Sequence, residues 1–473
     1  MCGIAGFVDH ASGDDAEARL RAMGEAIAYR GPDDSGTFYD SATGLGFVHR
    51  RLAIVDLSSA GHQPMRSSSG RFVIIFNGEI YNHTELRREL EASGHGVDWK
   101  GHSDTETLLR GFEIWGITET LTKAVGMFAF ALYDSATRHL TLARDRIGEK
   151  PLYYGMSQNV FLFGSELKAL RAHPAFQAEI DRDALLSLLR HQYCRGPRSI
   201  YSGMAKLEPG SLLTFDLTNK TYIIESYWSL HGAAERGVKA RLSLSDREAV
   251  DRFDELIKQS IGLQMVADVP VGAFLSGGVD SSLIVAHMQR LSSRPVKSFT
   301  IGFEEDAFNE APFARAVAHY IGTDHTEYFV SPREALDLIP RLPSLYDEPL
   351  ADVSQIPTFL VSRIARQAVT VSLSGDAGDE LFAGYTTYAH AEKLMQLHDH
   401  IPTSLLPFTS LLIKSGAYLS ELMGYAQRAR QLSLSAFVLN ARSKGGLTER
   451  LTQFWNSEAS PIIGVHDHAL QHN

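Results

Sequence analysis

MCGIAGF, residues 1–7, sets the reading of this chain. It couples a short apolar run of strand character to a cysteine at position 2, and Cys194 is the only other cysteine in 473 residues. Removal of Met1 would leave a thiol and an α-amine on one carbon skeleton. Their ordinary pKa values, near 8.5 and 7.7–8.0, make proton transfer from sulfur to nitrogen cost only about 1 kcal/mol. Such a residue carries its own general base. A lone Cys2 has an equally plain reading as an accident of the first codons, so its neighbours in chemistry decide the matter.

The stretches that follow are short and β-rich, with turn signals between them: GLGFVHRRLAIVD, RFVIIFNGEIYN, GMFAFALYD and PLYYGMSQNVFLFGS. Two helical patterns interrupt them, HTELRRELEAS and DTETLLRGFEIWG, the second opening at Asp104 as an N-cap and ending at Gly116. Antiparallel sheet with segregated helices defines an α+β domain. Within it, FNGEIYN (76–82) offers an Asn77 amide and a Gly78 N–H, donor types suited to a developing oxyanion. HRRLAIVD (49–56) offers Arg51, whose fork fits a carboxylate. GHSDTET (101–107) offers Asp104 for an ammonium. Thiol, oxyanion donors, cation and anion together suit an α-amino acid with a hydrolysable side-chain acyl group, glutamine above all. YRGPDD (29–34) adds a turn.

After about residue 260 strands and helices alternate: VPVGAFL, SSLIVAHMQRL, VKSFTIGF, EAPFARAVAHYIG, EYFV, PTFLVSRIARQ, VTVSLSG. That rhythm predicts a doubly wound α/β domain with a parallel sheet. LSGGVDSS (275–282) lies between a strand and a helix, with glycines that let N–H groups converge on an anion. Asp280 fits beside phosphate if Mg²⁺ lies between them. A capped turn is the plainer reading of that loop. A second loop, LSGDAGDELFAGY (373–385), again follows an apolar strand and carries Asp376, Asp379 and Glu380.

MCGIAGF, YRGPD, HRRLAIVD, FNGEIYN, SDTE and GMFAFALYD resemble, in order from residue 2 to about 180, class II glutamine amidotransferases. More narrowly, they resemble the glutaminase half of glutamine-hydrolysing asparagine synthetases. SGGVDSS resembles the pyrophosphate loop of the ATP pyrophosphatase superfamily, and SGDAGDE its partner loop in asparagine synthetases. The resemblance implies an N-terminal Ntn-hydrolase-like αββα sandwich at 2–210, a connector at 211–245 and an ATP-pyrophosphatase domain at 246–473. It implies Cys2 as nucleophile and Asn77 with Gly78 as oxyanion hole. Glutamine would be held by Arg51 and Asp104, with Leu52, Ala53, Ile54, Val55 and Glu79 lining the site. ATP would be held by Leu275, Ser276, Gly277, Gly278, Asp280, Ser281, Ser282, Ile301, Ser374 and Gly375, and Mg²⁺ by Asp280 and Asp379. The acceptor would lie near YDEPLADVSQIPT (346–358), and ammonia would travel inside the protein between the two sites.

Two departures from the family pattern stand out. Asp376 occupies a position where well-studied asparagine synthetases have Glu, so its carboxylate reaches about 1–1.5 Å less. This weakens aspartate as acceptor more than it weakens amidation, and another carboxylate such as a uronic acid sugar remains an alternative. The family's SxEARxPFLD-like segment and its later lysine are absent, and the last lysine is Lys444. The expectation is an intact glutaminase half and an impaired synthetase half, in a truncated product or a fragment. Cys194 reads as a buried structural thiol, and the histidines of GVHDHALQHN as a solvated tail.

A net charge of −11 without a long basic run argues against nucleic acid and an anionic membrane surface as partners. No signal peptide is visible, and LLPFTSLLI (405–413) is too short to span a bilayer, which points to the cytoplasm. That apolar stretch leaves self-association as a homodimer open.

Overall fold

A computed structural model describes residues 1–10, 13–94, 98–305, 309–402, 405–423 and 425, with positions 432, 435, 436, 438, 450, 453 and 462 beyond them. The GVHDHALQHN tail and Lys444 lie outside the described residues. The chain forms two compact units. One holds residues 1–179, 196–348 and 354–374; the other holds 180–195, 349–353 and 375–473.

The first unit begins with a sandwich. Its strands are β1 (Gly3–Val8), β2 (Asp34–Asp40), β3 (Leu45–Arg51), β4 (Met65–Arg66), β5 (Phe72–Ile80), β6 (Gly126–Asp134), β7 (His139–Arg144), β8 (Tyr153–Ser157), β9 (Val160–Gly164), β10 (Met204–Lys206), β11 (Ser211–Asp216) and β12 (Thr221–Ser226). They form two six-stranded antiparallel sheets, ordered β10-β8-β9-β1-β3-β2 and β12-β11-β7-β6-β5-β4. Helix α1 (Ala16–Ala26) packs on β1 and β3, while α2 (His83–Ala92), α3 (Asp104–Ile114) and α4 (Ile117–Lys123) flank the other sheet. The αββα layering therefore holds.

Strand alternation explains the layers. On β5, Val73 and Ile75 enter the core between the sheets, whereas Phe72, Ile74 and Phe76 pack with Leu86, Leu108 and Phe112 of the helices. On β1, Ile4 and Val8 face the inter-sheet core, as do Leu45 and Phe47 on β3. Continuing the same parity puts Cys2, His49, Arg51, Asn77 and Glu79 on that inner face. Each lies near the end of its strand, where the apolar core gives way to polar residues.

Residues 211–226 are not a connector. β11 pairs with β7 and β12 with β11, in antiparallel register, and Leu212, Leu213 and Phe215 are buried. LEPGSLLTFDL supplies apolar residues that the second sheet needs beside β7, so the sandwich runs past residue 210. The helix at DTET also differs in detail: Ser103 is its N-cap, accepting the Glu106 N–H at 3.2 Å, and Asp104 is the first helical residue. Beyond the sandwich come α5 (Leu167–Arg171), α6 (Arg182–His191), α7 (Leu230–Lys239) and α8 (Asp246–Gln264). A full capping box between Ser245 and Glu248 starts α8.

The same unit carries a four-stranded sheet of β13 (Val271–Phe274), β14 (Lys297–Phe303), β15 (Asp324–Val330) and β16 (Val371–Leu373). All pairs are parallel, in the order β15-β14-β13-β16. The crossovers use α9 (Val279–Leu291), α10 (Ala311–Ile321), α11 (Pro332–Leu338), α12 (Leu342–Leu345) and α13 (Gln355–Ala365). The order reverses between β13 and β16, and ligands of doubly wound sheets bind outside the carboxyl ends at such a switch point. Leu275 and Ser374 follow these two strands directly. The second unit contains α6, α14 (Gly378–Phe382), α15 (Thr386–His400) and α16 (Leu406–Leu422). Within it Cys194 is buried, its Sγ 3.8 Å from the Ala184 carbonyl. No described helix is long and apolar enough to cross a membrane.

Candidate active sites

One pocket opens at the end of the sandwich. It is lined by Cys2, Arg51, Leu52, Ile54, Val55, Asn77, Gly78, Glu79 and Asp104, together with Met1, Gly61, Gln63, Phe76, Ser103, Thr105, Met127 and Lys150. Every residue the sequence assigned to glutamine is there except Ala53, whose N–H is turned to Asp33 Oδ2 at 2.9 Å.

The Cys2 Sγ accepts the Leu52 N–H at 3.4 Å and lies 3.6 Å from the Leu52 carbonyl. Burial pushes the thiol above its ordinary value, while that N–H favours the thiolate. Burial also lowers the chain's α-amine to about 6, with Arg30 and Lys150 adding positive charge nearby. The Arg30 Nε donates to the Cys2 carbonyl at 2.9 Å. Both amide atoms of Asn77 are buried and without a hydrogen-bond partner, and so is Glu79 Oε1. An unpaired buried amide costs about 1–3 kcal/mol, so Asn77 is held ready for a group that the folded chain does not supply. The Glu79 carboxyl is pushed up to about 7, first by burial and then by the Asp104 charge. Asp104 is likewise raised by burial, although its oxygens accept the Ile80 N–H at 2.9 Å and the Thr105 N–H at 2.8 Å.

Arg51 is anchored by its Nη1 on the Ser58 carbonyl at 3.1 Å and its Nη2 on the Asp56 carbonyl. Gly61 makes room for it, since a Cβ there would collide with the guanidinium. Gly78 is constrained in the same way by the backbone of β6. Sequence reasoning missed the supports. Gln63 accepts the Phe76 N–H at 2.6 Å and donates to Thr105 Oγ1 at 3.3 Å, tying β5 to α3. His49 bridges the sheets through the Phe76 carbonyl at 3.1 Å, and burial lowers its pKa to about 4, so it sits there neutral. Lys150 Nζ lies 2.8 Å from Met127 Sδ and 3.1 Å from Met1 Sδ, its pKa lowered by burial. No local motif marks such residues, because they act through partners distant in sequence.

At the parallel sheet, the Leu275 N–H extends the ladder to the Phe299 carbonyl at 2.9 Å. Gly277 stands at φ 83°, and a Cβ there would come within 2.7 Å of the Ala314 nitrogen. Ser276 and Ser281 share a hydroxyl contact at 2.9 Å, and the Gly278 N–H reaches Ser276 Oγ at 3.2 Å. Asp280 lies in the first turn of α9, and the buried Ser282 hydroxyl is unpartnered. Ile301 is half-buried among Phe299, Val361 and Ile364. The glycine turn and the orphaned hydroxyl at the start of α9 fit a phosphate. In the second unit, Gly375 and Asp376 lead into α14, Ala377 is left-handed at φ 71° and Asp379 sits in the helix's first turn. No group of three or more potential ligands for a metal occurs among the described residues. One or two carboxylates with substrate phosphates are the usual Mg²⁺ arrangement, so Asp280 remains compatible with it.

The comparisons agree with this division. The glutamine amidotransferase domain family model matches residues 1–228, and the asparagine synthase model residues 252–463. Asparagine synthetase [glutamine-hydrolyzing] 1 of Bacillus subtilis (strain 168) is 37% identical over 412 residues, covering 86% of this chain and 62% of that protein. The putative asparagine synthetase [glutamine-hydrolyzing] 2 of Methanocaldococcus jannaschii is 35% identical over 413 residues, covering 83% of this chain and 77% of that protein. A solved glutamine phosphoribosylpyrophosphate amidotransferase from B. subtilis, complexed with ADP and GMP, covers 71% of this chain and 70% of its own at 16% identity and TM-score 0.36. By the two family models the chain joins a glutamine amidotransferase domain to an asparagine synthase domain. It belongs to the glutamine-hydrolysing asparagine synthetase family, and spans 62% of the length of its Bacillus relative.

Proposed function

We propose that this chain hydrolyses glutamine at Cys2 and delivers the ammonia to a carboxylate activated by ATP. The observation that carries the reading is the pocket in which Cys2, Arg51 and Asp104 surround an Asn77 amide that is buried without a partner. With Met1 removed, the α-amine of Cys2 takes the thiol proton and the thiolate attacks the side-chain amide carbon. Asn77 Nδ2 and the Gly78 N–H receive the oxyanion, a contribution of roughly 3 kcal/mol per donor. The amine returns the proton to the departing nitrogen, ammonia leaves, and water hydrolyses the glutamyl thioester to glutamate. Arg51 holds the substrate carboxylate and Asp104 its ammonium, with the Leu52–Val55 segment and Glu79 completing the wall.

At the second site, the loop at Ser276–Ser282, with Leu275, Ile301 and Ser374, would hold ATP, and Asp280 would hold Mg²⁺, which neutralises phosphate charge when bound. The acceptor carboxylate displaces pyrophosphate from the α-phosphorus, and ammonia then displaces AMP from the acyl-adenylate. Aspartate is the acceptor that the relatives' names favour, which gives asparagine, glutamate, AMP and pyrophosphate. The short carboxylate at Asp376 favours a second reading in which another carboxylate, such as a uronic acid sugar, is amidated. The amidotransferase domain extends to about residue 228, and the synthetase domain opens with α8 at Asp246. The test is chromatographic: protein with glutamine, ATP, Mg²⁺ and aspartate should yield AMP, asparagine and glutamate one for one. Glutamate without AMP means that the synthetase half is impaired or takes another carboxylate, and no glutamate overturns the reading.

A further inference from the structure

Asp56 closes HRRLAIVD at φ 58°, a left-handed conformation that costs a non-glycine residue about 1 kcal/mol or more. Its surroundings hold it there. Its carbonyl accepts from Arg51 Nη2, and its carboxylate accepts the His102 N–H at 2.8 Å, two residues before Asp104. Ser58 donates to the other carboxylate oxygen through its N–H at 3.1 Å and its hydroxyl at 2.5 Å. Asp56 thereby ties together the two loops that carry the charged walls of the pocket. Its remaining group, the N–H, leaves the sandwich and donates to Asp268 Oδ2 at 2.7 Å.

Asp268 lies between α8 and β13, beyond the amidotransferase match. Its own N–H donates to the carbonyl of pocket residue Ile54 at 2.9 Å, and its Oδ2 lies 2.7 Å from His102 Nε2. The segment that carries it is not a free loop, because the Pro270 carbonyl accepts the Thr370 N–H at 3.0 Å ahead of β16. One carboxylate anchored to the parallel sheet thus fastens both glutamine-pocket loops from outside.

We infer that Asp268 is a positioning residue of the glutamine pocket, setting substrate affinity through Asp56, Ile54 and His102 without touching the substrate. The inference rests on the glutamine reading of the pocket. Without Asp268 the left-handed turn at Asp56 loses its fastening, and Arg51 and Asp104 no longer stand at a fixed separation. Binding should suffer more than the thiol chemistry, since Asp268 bonds to Ile54, Asp56 and His102 and to neither Cys2 nor Asn77.

The experiment uses the full chain. Glutamine is titrated calorimetrically into Cys2→Ala alone and combined with Asp268→Ala or Asp268→Asn, and steady-state hydrolysis is measured with Cys2 intact. Asp268→Ala should raise Kd and KM about tenfold, the scale of one or two ordinary hydrogen bonds, with kcat within about twofold. Asp268→Asn keeps an acceptor oxygen for the Asp56 N–H and should recover most of the affinity. An unchanged Kd and KM, or a fall in kcat alone, overturns the inference. Glutamine that binds in an Asp268-dependent way but is never hydrolysed overturns the hydrolytic reading and leaves the role of Asp268 standing. Absence of binding to every variant overturns both.

Discussion

The two candidate sites are built from similar sequence material, a glycine beside polar residues at the end of a strand, yet they are finished to different degrees. In the sandwich pocket, Asn77 and Glu79 are buried with unpartnered side-chain atoms, and the strand that carries them is held by β6 and, at Phe76, by Gln63 and His49. In the SGGVDSS loop, the Ser276 and Ser281 hydroxyls satisfy one another, and Gly278 bonds to Ser276. The first site has borne its desolvation before substrate arrives. The second must exchange internal hydrogen bonds for those of a ligand. Preorganisation of donors toward a developing charge is what accelerates acyl transfer, whereas a nucleotide brings its own charge and can remodel a loop on binding.

The sharpest way to break this contrast is Cys2→Ala. It should lower glutamate release by about four orders of magnitude or more, since no other thiol lines the pocket. ATP binding, followed by equilibrium titration, should not change. Asn77→Ala comes next, with kcat for glutamine expected to fall about 10²–10³-fold and KM to move much less, because the donor acts on the transition state. A parallel loss in KM would make Asn77 a ground-state contact instead.

Glu79 tests the cost of a finished site. Its folded pKa near 7 stands above the ordinary 4.5. Below about pH 4.5 both folded and unfolded chains hold the proton. Between that value and 7 the unfolded chain releases a proton that the folded one keeps, so stability falls as pH rises and levels off above 7. Glu79→Gln removes this slope and should gain up to about 3 kcal/mol over wild type across that window. Denaturant melts at pH 4.5, 6 and 7.5 measure it, and equal slopes in the two proteins would refute it. The smallest effect belongs to the open loop. Gly277→Ala forces a positive φ on a Cβ that meets Ala314, which should cost about 1–2 kcal/mol and weaken ATP binding while glutaminase kcat stays as it was.

Much of this molecule was legible in the chain. The apolar, β-rich run of RFVIIFNGEIYN placed Asn77 at a strand end, and the βα rhythm after residue 260 matched β13 through β16 in order. The misreadings are local and physical. Asp104 and Ser103 are both good capping residues, and only the backbone geometry shows that Ser103 takes the role. Residues 211–226 read as connector because LEPGSLLTFDL has a weak period, but β7 lacked a neighbour on that side and β11 supplied it. Ala53 sits inside a run of pocket residues, and its N–H is drawn away by Asp33.

By itself the sequence determined the kinds of group at each site: a thiol at position 2, an Asn-Gly pair, an arginine, an acidic helix start and a glycine-serine turn. These follow from residue type and local spacing, which secondary structure reads directly. Only the tertiary structure decided which of them meet, and at what cost. Parity on three strands from separate parts of the chain brings Cys2, Arg51 and Asn77 to one inner face. Burial there leaves the Asn77 amide unpaired and lifts the Glu79 carboxyl toward neutrality. The left-handed turn at Asp56 is held by Arg51, Ser58 and His102, and by Asp268, some two hundred residues away, which accepts its N–H. Desolvation and long-range hydrogen bonds depend on the whole packing, which no local stretch of sequence encodes.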